Sequence, residues 1–155
     1  MSNRHFLVIV DGTKEMEVAL NYACNRAKKT DGNLILASFI KPIDVLTTKS
    51  VVDIMKNEAR EEAETVIQKA SAYVKEETGL TPILHIREGE IIEALMQLIE
   101  EEEDISVLVL AASTEEQKGP GPIISSIISN NYNRIKIPVM IVPGNLTKEH
   151  INQIG

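Results

Sequence analysis

Asp11 follows the apolar run Phe6 to Val10 and precedes Gly12 and Thr13. A carboxylate there can accept hydrogen bonds from a ligand's hydroxyl, amine or amide groups, or help to hold a metal. It can also cap the turn into a following helix, and the two roles are compatible. A second stretch with chemical potential is 111–126, AASTEEQKGPGPIISS. It leaves an apolar run and enters a helical pattern, where free backbone N–H groups and the dipole attract anions. Ser125 and Ser126 add hydroxyl donors there, and Gly119 and Gly121 permit close backbone approach. Against this, Pro120 and Pro122 withhold two N–H groups, and Glu115 and Glu116 add negative charge. On these residues alone, a phosphate site and a plain connecting loop are both open.

Other chemistries lack their residues. There is no GxxxxGK[ST], no GxGxxG after the first apolar run and no GxSxG. That disfavours a P-loop NTPase, a standard dinucleotide dehydrogenase and a serine hydrolase of the elbow type. His5, His85 and His150 have no metal-ligand spacing. Cys24 is the single cysteine, so no internal disulfide can form; it is expected to be a packing residue. A lone cysteine also fits a reducing compartment. The acidic run Glu100 to Glu103 is expected to be a solvated helix end.

The elements that must position Asp11 and the 111–126 stretch can be read from apolar periodicity. Strands are expected at Phe6 to Val10, Leu34 to Ile40, Ile83 to Arg87, Ile105 to Leu110 and Val139 to Val142. Helices are expected at Lys14 to Lys29, Ser50 to Glu77, from Gly89 through the stripe Ile91-Ile92-Leu95-Leu98-Ile99, and at Ile124 to Asn133. Thr13 is a plausible N-cap for the first helix and Gly32 its natural terminator. The 145–155 tail has room for one or two helical turns. Strictly alternating strands and helices predict a parallel sheet covered on both faces. In such sheets ligands bind beyond the carboxyl ends of the strands, where strand order switches. A two-component receiver shares this order, but the third strand ends Arg87-Glu88, without a phosphoacceptor aspartate.

Composition narrows the partners. The net charge of -7, from 16 Lys+Arg against 23 Asp+Glu, argues against a nucleic-acid footprint or a polybasic membrane anchor. Aromatic residues at 3% argue against base-stacking platforms. The apolar run near the N-terminus is too short for a signal peptide or a membrane span, so a cytoplasmic location is expected.

Three stretches carry a family resemblance: FLVIVDGTKEMEVALNYA, IREGEIIEALMQLIEEEEDISVLVLAAS and IKIPVMIVPG. Together with the element order they resemble the universal stress protein family over about residues 4–144, leaving 145–155 as a tail. The resemblance implies an α/β fold: a Rossmann-like (adenine nucleotide alpha hydrolase-like) open five-stranded parallel sheet, order 3-2-1-4-5. It implies a homodimer, commonly through edge pairing of the last strand, Val139 to Val142. It also implies a pocket for ATP or another adenine nucleotide, with Mg2+. Nucleotide-binding members carry Gly-x2-Gly-x9-Gly-[Ser/Thr] after the fourth strand. Here Ala111, Thr114 and Ser125 stand at the glycine positions, and Ser126 keeps the hydroxyl. The phosphate side would then be rebuilt around Gly119 to Pro122. Asp11, within Val10 to Thr13, matches the adenine- and ribose-side aspartate, and Phe39 the position whose backbone meets adenine. The resemblance implies a stress-response or signalling module. The alternatives are a dimeric interaction protein that binds no nucleotide, and, behind it, a slow nucleotide hydrolase without an evident general base.

Overall fold

Five strands and their crossover helices form the structure, a computed structural model describing residues 4–43, 48–115 and 119–155. The strands are β1 (His5–Ile9), β2 (Asn33–Ile40), β3 (Ile83–Glu88), β4 (Ile105–Ala112) and β5 (Val139–Pro143). The helices are α1 (Lys14–Thr30), α2 (Lys49–Thr78), α3 (Ile91–Glu101), α4 (Pro122–Ser126) and α5 (Lys148–Ile154). All pairings are parallel and the order is β3-β2-β1-β4-β5, as the alternation and the resemblance predict. Strand order reverses direction at β1, which has β2 on one side and β4 on the other.

Both faces of the sheet are buried, which is why the strands read as continuous apolar runs. Along β1 and its extension, Phe6, Val8 and Val10 pack with Ala23 of α1 and with Ile67 and Val74 of α2. Leu7 and Ile9 point the other way, toward Leu95 and Leu98 of α3 and Ile124 of α4. Helix α5 docks on the first face: Ile151 is fully buried, and Arg26 donates to the Gly155 carbonyl at 2.8 Å. Among the described residues no helix is long and apolar enough to cross a membrane.

Cys24 lies in the first core layer, as expected of a packing residue. Burial, reinforced by the Glu77 carboxylate, pushes its thiol from 9.0 up to about 12. The folded chain therefore holds this proton where the unfolded chain gives it up. The resulting stability is complete below pH 9.0 and is lost as pH rises toward about 12. Cys24→Ala should flatten the alkaline fall of the unfolding free energy from urea titrations between these limits, by up to about 1.4 kcal/mol per pH unit. An unchanged alkaline slope would refute this.

Helix α2 is unevenly anchored. Its buried residues are Val52, Ile67, Ala70, Ser71 and Val74, so four of the five fall in or near the C-terminal half. At about 1.5 Å per residue its 30 residues span about 45 Å, against about 26 Å for the eight of β2. Val51, Ile54 and Met55 are exposed on the overhanging half.

Several boundaries differ from expectation for local reasons. Helix α1 ends on Asp31 in the left-handed region (φ 56°), not on Gly32. Gly32 answers a different need, since a Cβ there would stand 2.7 Å from the Arg4 carbonyl oxygen. Strand β4 runs past Leu110 because Ala111 and Ala112 still pair with Val142 and Pro143. Helix α4 starts at Pro122, whose missing N–H costs nothing in a first turn, and passes into a π-helical turn at Ile127–Asn131. The Asn131 amide donates to the Ser126 carbonyl (3.2 Å) and hydroxyl (2.8 Å), tying the five-residue step. Helix α3 takes its cap from Glu90, whose carboxylate accepts from the Ile92 and Glu93 N–H groups. The acidic run is only partly a solvated end: Arg87 pairs with Glu101 at 2.7 Å, and His85 lies 3.8 Å from Glu102.

Candidate functional site

At the carboxyl edge of the sheet, Asp11 is held by the turn it begins. Its Oδ1 accepts from the Thr13 N–H (3.0 Å) and from the Thr13 hydroxyl (2.7 Å). The Thr13 Oγ1 in turn accepts from the Met16 N–H at 3.3 Å, capping α1. The capping role and an exposed carboxylate thus coexist. Both bonds fall on one oxygen, leaving Oδ2 for a ligand. Gly12 makes the turn possible: its φ of +75° is the left-handed region that suits glycine.

Two cavities meet at this residue, and both are lined by Ile9 and Asp11. One, about 300 Å³, lies over the β1–β2 side. Val10, Ser38, Phe39 and Ile40 form its floor, and Ala59, Glu62, Ala63 and Val66 of α2 form its wall. The other, about 250 Å³, lies over the β1–β4 side, where strand order reverses. It is lined by Thr13, Glu15 and Met16 from α1 and its cap, by Ala111 and Ser113 from the end of β4, and by Pro120 to Ile124. Two cavities that meet at one carboxylate at the switch point form an extended cleft where ligands bind in open parallel sheets.

The residues singled out from sequence separate into two groups. Val10, Asp11, Thr13, Phe39, Ala111 and Gly121 line the cavities. Gly12, Thr114, Gly119, Ser125 and Ser126 do not. Gly12 borders instead a groove between α1 and α2. Ser125 is exposed and Ser126 Oγ accepts from Asn131. The loop from β4 to α4 is closed by the Ser113 N–H donating to the Pro120 carbonyl at 3.0 Å. Glu116 lies outside the described residues. Sequence reasoning missed Ser38, Glu15, Ser113 and the α2 wall. Ser38 carried a usable signal, being a polar residue near the carboxyl end of an apolar strand and only 6% exposed. Among the described residues no group of three or more His, Cys, Asp or Glu side chains gathers to hold a metal ion.

The sequence matches the universal stress protein family over residues 2–143. No curated protein sequence matches it. Among solved structures it is similar to the universal stress protein UspA from Lactobacillus plantarum, with TM-score 0.77 and 15% identity, covering 92% of this chain and 99% of that one. It is similar to a universal stress protein in complex with cAMP, with TM-score 0.64 and 20% identity, covering 92% and 98%. It is also similar to a universal stress protein family protein from Arabidopsis thaliana with AMP bound, with TM-score 0.64 and 11% identity, covering 90% and 91%. At these identities the likeness to solved structures is one of fold.

Proposed function

The chain belongs to the universal stress protein family, and on that premise we propose that it is a cytoplasmic stress-response and signalling module whose cleft takes an adenine nucleotide by its adenosine part. Residues 4–144 form the working domain in this reading and 145–155 its tail. The observation that carries it is the position of Asp11, an exposed carboxylate dividing two cavities at the switch point of the sheet. Adenine would lie over Val10 and Phe39, with Ser38 as its polar neighbour. The ribose would bring its hydroxyls to the free oxygen of Asp11. Solved universal stress proteins with AMP and with cAMP support this choice of ligand. A Mg2+ ion would enter on the nucleotide's phosphates, since Asp11 and Glu15 are the carboxylates lining that side.

Calorimetry with AMP tests the reading. Asp11→Ala should weaken binding about tenfold or more, the loss of a charge-assisted hydrogen bond. Heat unchanged by the substitution, or no binding by the unaltered protein at millimolar ligand, would sink it.

A second reading concerns assembly. Strand β5 is a sheet edge, and Ile141 on it is 45% exposed. An apolar edge strand is a template for pairing with another chain. Val139 to Val142 of two copies, lying edge to edge, would give the homodimer.

A further inference from the structure

We infer that the groove between α1 and α2 is a second ligand site, which takes a free amino acid with an apolar side chain. The groove has a volume of about 640 Å³ and touches the cavities at Asp11 only through the shared residues Met16 and Val66. Both helices are crossovers on the same face of a parallel sheet, so they run in the same direction. The Tyr73 hydroxyl of α2 donates to Asn21 Oδ1 of α1 and fixes their register. One turn toward the N-termini, Glu17 on α1 and Lys69 on α2 come to opposite banks of the groove, and both line it.

Beneath this pair the floor is apolar. Leu20 and Ala70 are 4% and 6% exposed, with Met16 and Val66 beside them. The far end is closed by the Tyr73–Asn21 bridge and by Lys148, whose ammonium lies 5.5 Å from the Tyr73 ring centroid and pairs with Glu77 at 2.5 Å. The charge of Lys148 is thus already balanced. Glu17 and Lys69 form no ion pair among the described residues. With its oxygen on Tyr73, the Asn21 amide keeps its NH2 as a further donor on the α1 bank.

An amino acid presents an ammonium and a carboxylate on one carbon. The ammonium would meet Glu17, the carboxylate would meet Lys69 and the Asn21 amide, and the side chain would cover Leu20 and Ala70. The ligand is neutral overall, and so is the pair that brackets it. A simple carboxylate would set an anion against Glu17, and a simple amine would set a cation against Lys69.

Calorimetry with L-leucine and nucleotide-free protein tests this. Isocaproate and isopentylamine, which each lack one charged group, should bind at least about fivefold more weakly than leucine. Glycine should bind at least about tenfold more weakly, for want of a side chain on the floor. Glu17→Gln and Lys69→Met alter exposed positions and should each weaken leucine about threefold or more with the urea midpoint unchanged. Asp11→Ala should leave leucine binding as it was, because the groove does not use that carboxylate. No heat at about 10 mM leucine, either analogue binding as tightly as leucine, or leucine binding that is lost in Asp11→Ala would overturn the inference. None of these results bears on the adenine reading, which AMP titration tests separately.

Discussion

Gly144→Ala is expected to destabilise the fold by about 3 kcal/mol, close to the upper end for a single methyl group. The added Cβ would overlap the Ala112 carbonyl oxygen, with the Ala112 carbonyl carbon at 3.2 Å and the Thr114 methyl at 3.4 Å. A flexible side chain could swing away, but a strand carbonyl cannot. Ala112 is paired with Pro143 at the end of β4, one residue before Ser113 at the cleft. Relief therefore means prising β5 from β4 or moving the segment that lines the β1–β4 cavity. Gly79→Ala is the useful comparison. Nothing lies within 4 Å of a Cβ there, and only its φ of +73° opposes a side chain, a penalty of about 1–2 kcal/mol. Urea unfolding of both variants checks the ordering. A Gly144→Ala midpoint equal to that of the unaltered protein would show that the strand end yields freely.

If β5 pairs with its copy, Ile141→Glu should weaken self-association about 100-fold, by burying an unpaired charge at the centre of the seam. Ile141 is exposed in the isolated chain, so the substitution leaves the core intact. Each subunit carries a net charge of -7, and a further acid on each adds repulsion. Sedimentation at micromolar concentration reads the result: the unaltered protein as a dimer, the variant as a 17.2 kDa species. A 17.2 kDa species for both, or a dimer for both, would remove the last strand from the interface.

The sheet was legible because its cause is local and repeated. Five apolar runs separated by helical periodicity leave few topologies, and the resemblance narrowed them to one. Asp11 and Phe39 were legible for the same reason, as residues at the ends of such runs. What escaped depends on contacts distant in sequence. Nothing near Gly32 announces that the Arg4 carbonyl passes beneath it, or that Asp31 will take the left-handed position instead. The hydroxyl of Ser126 fits a phosphate motif by spacing, yet Asn131 reaches it first. The wall of Ala59 and Ala63 shows in sequence only as part of an amphipathic stripe. That it faces a cavity is set by the ends of β1 and β2 opposite it, which are distant in sequence.

That overhang has a mechanical meaning. The C-terminal part of α2 is anchored by Ile67, Ala70, Ser71 and Val74, while the part before Ile67 has Val52 as its one buried residue and Val66 partly buried against the core. Displacing a segment costs what its buried contacts are worth, so rigidity along this one helix is graded. The cavity wall, Ala59 to Val66, spans the passage from the sparsely buried part to the anchored one. The cleft is thus bounded on one bank by strands buried on both faces and on the other by a helix stretch that is only partly buried.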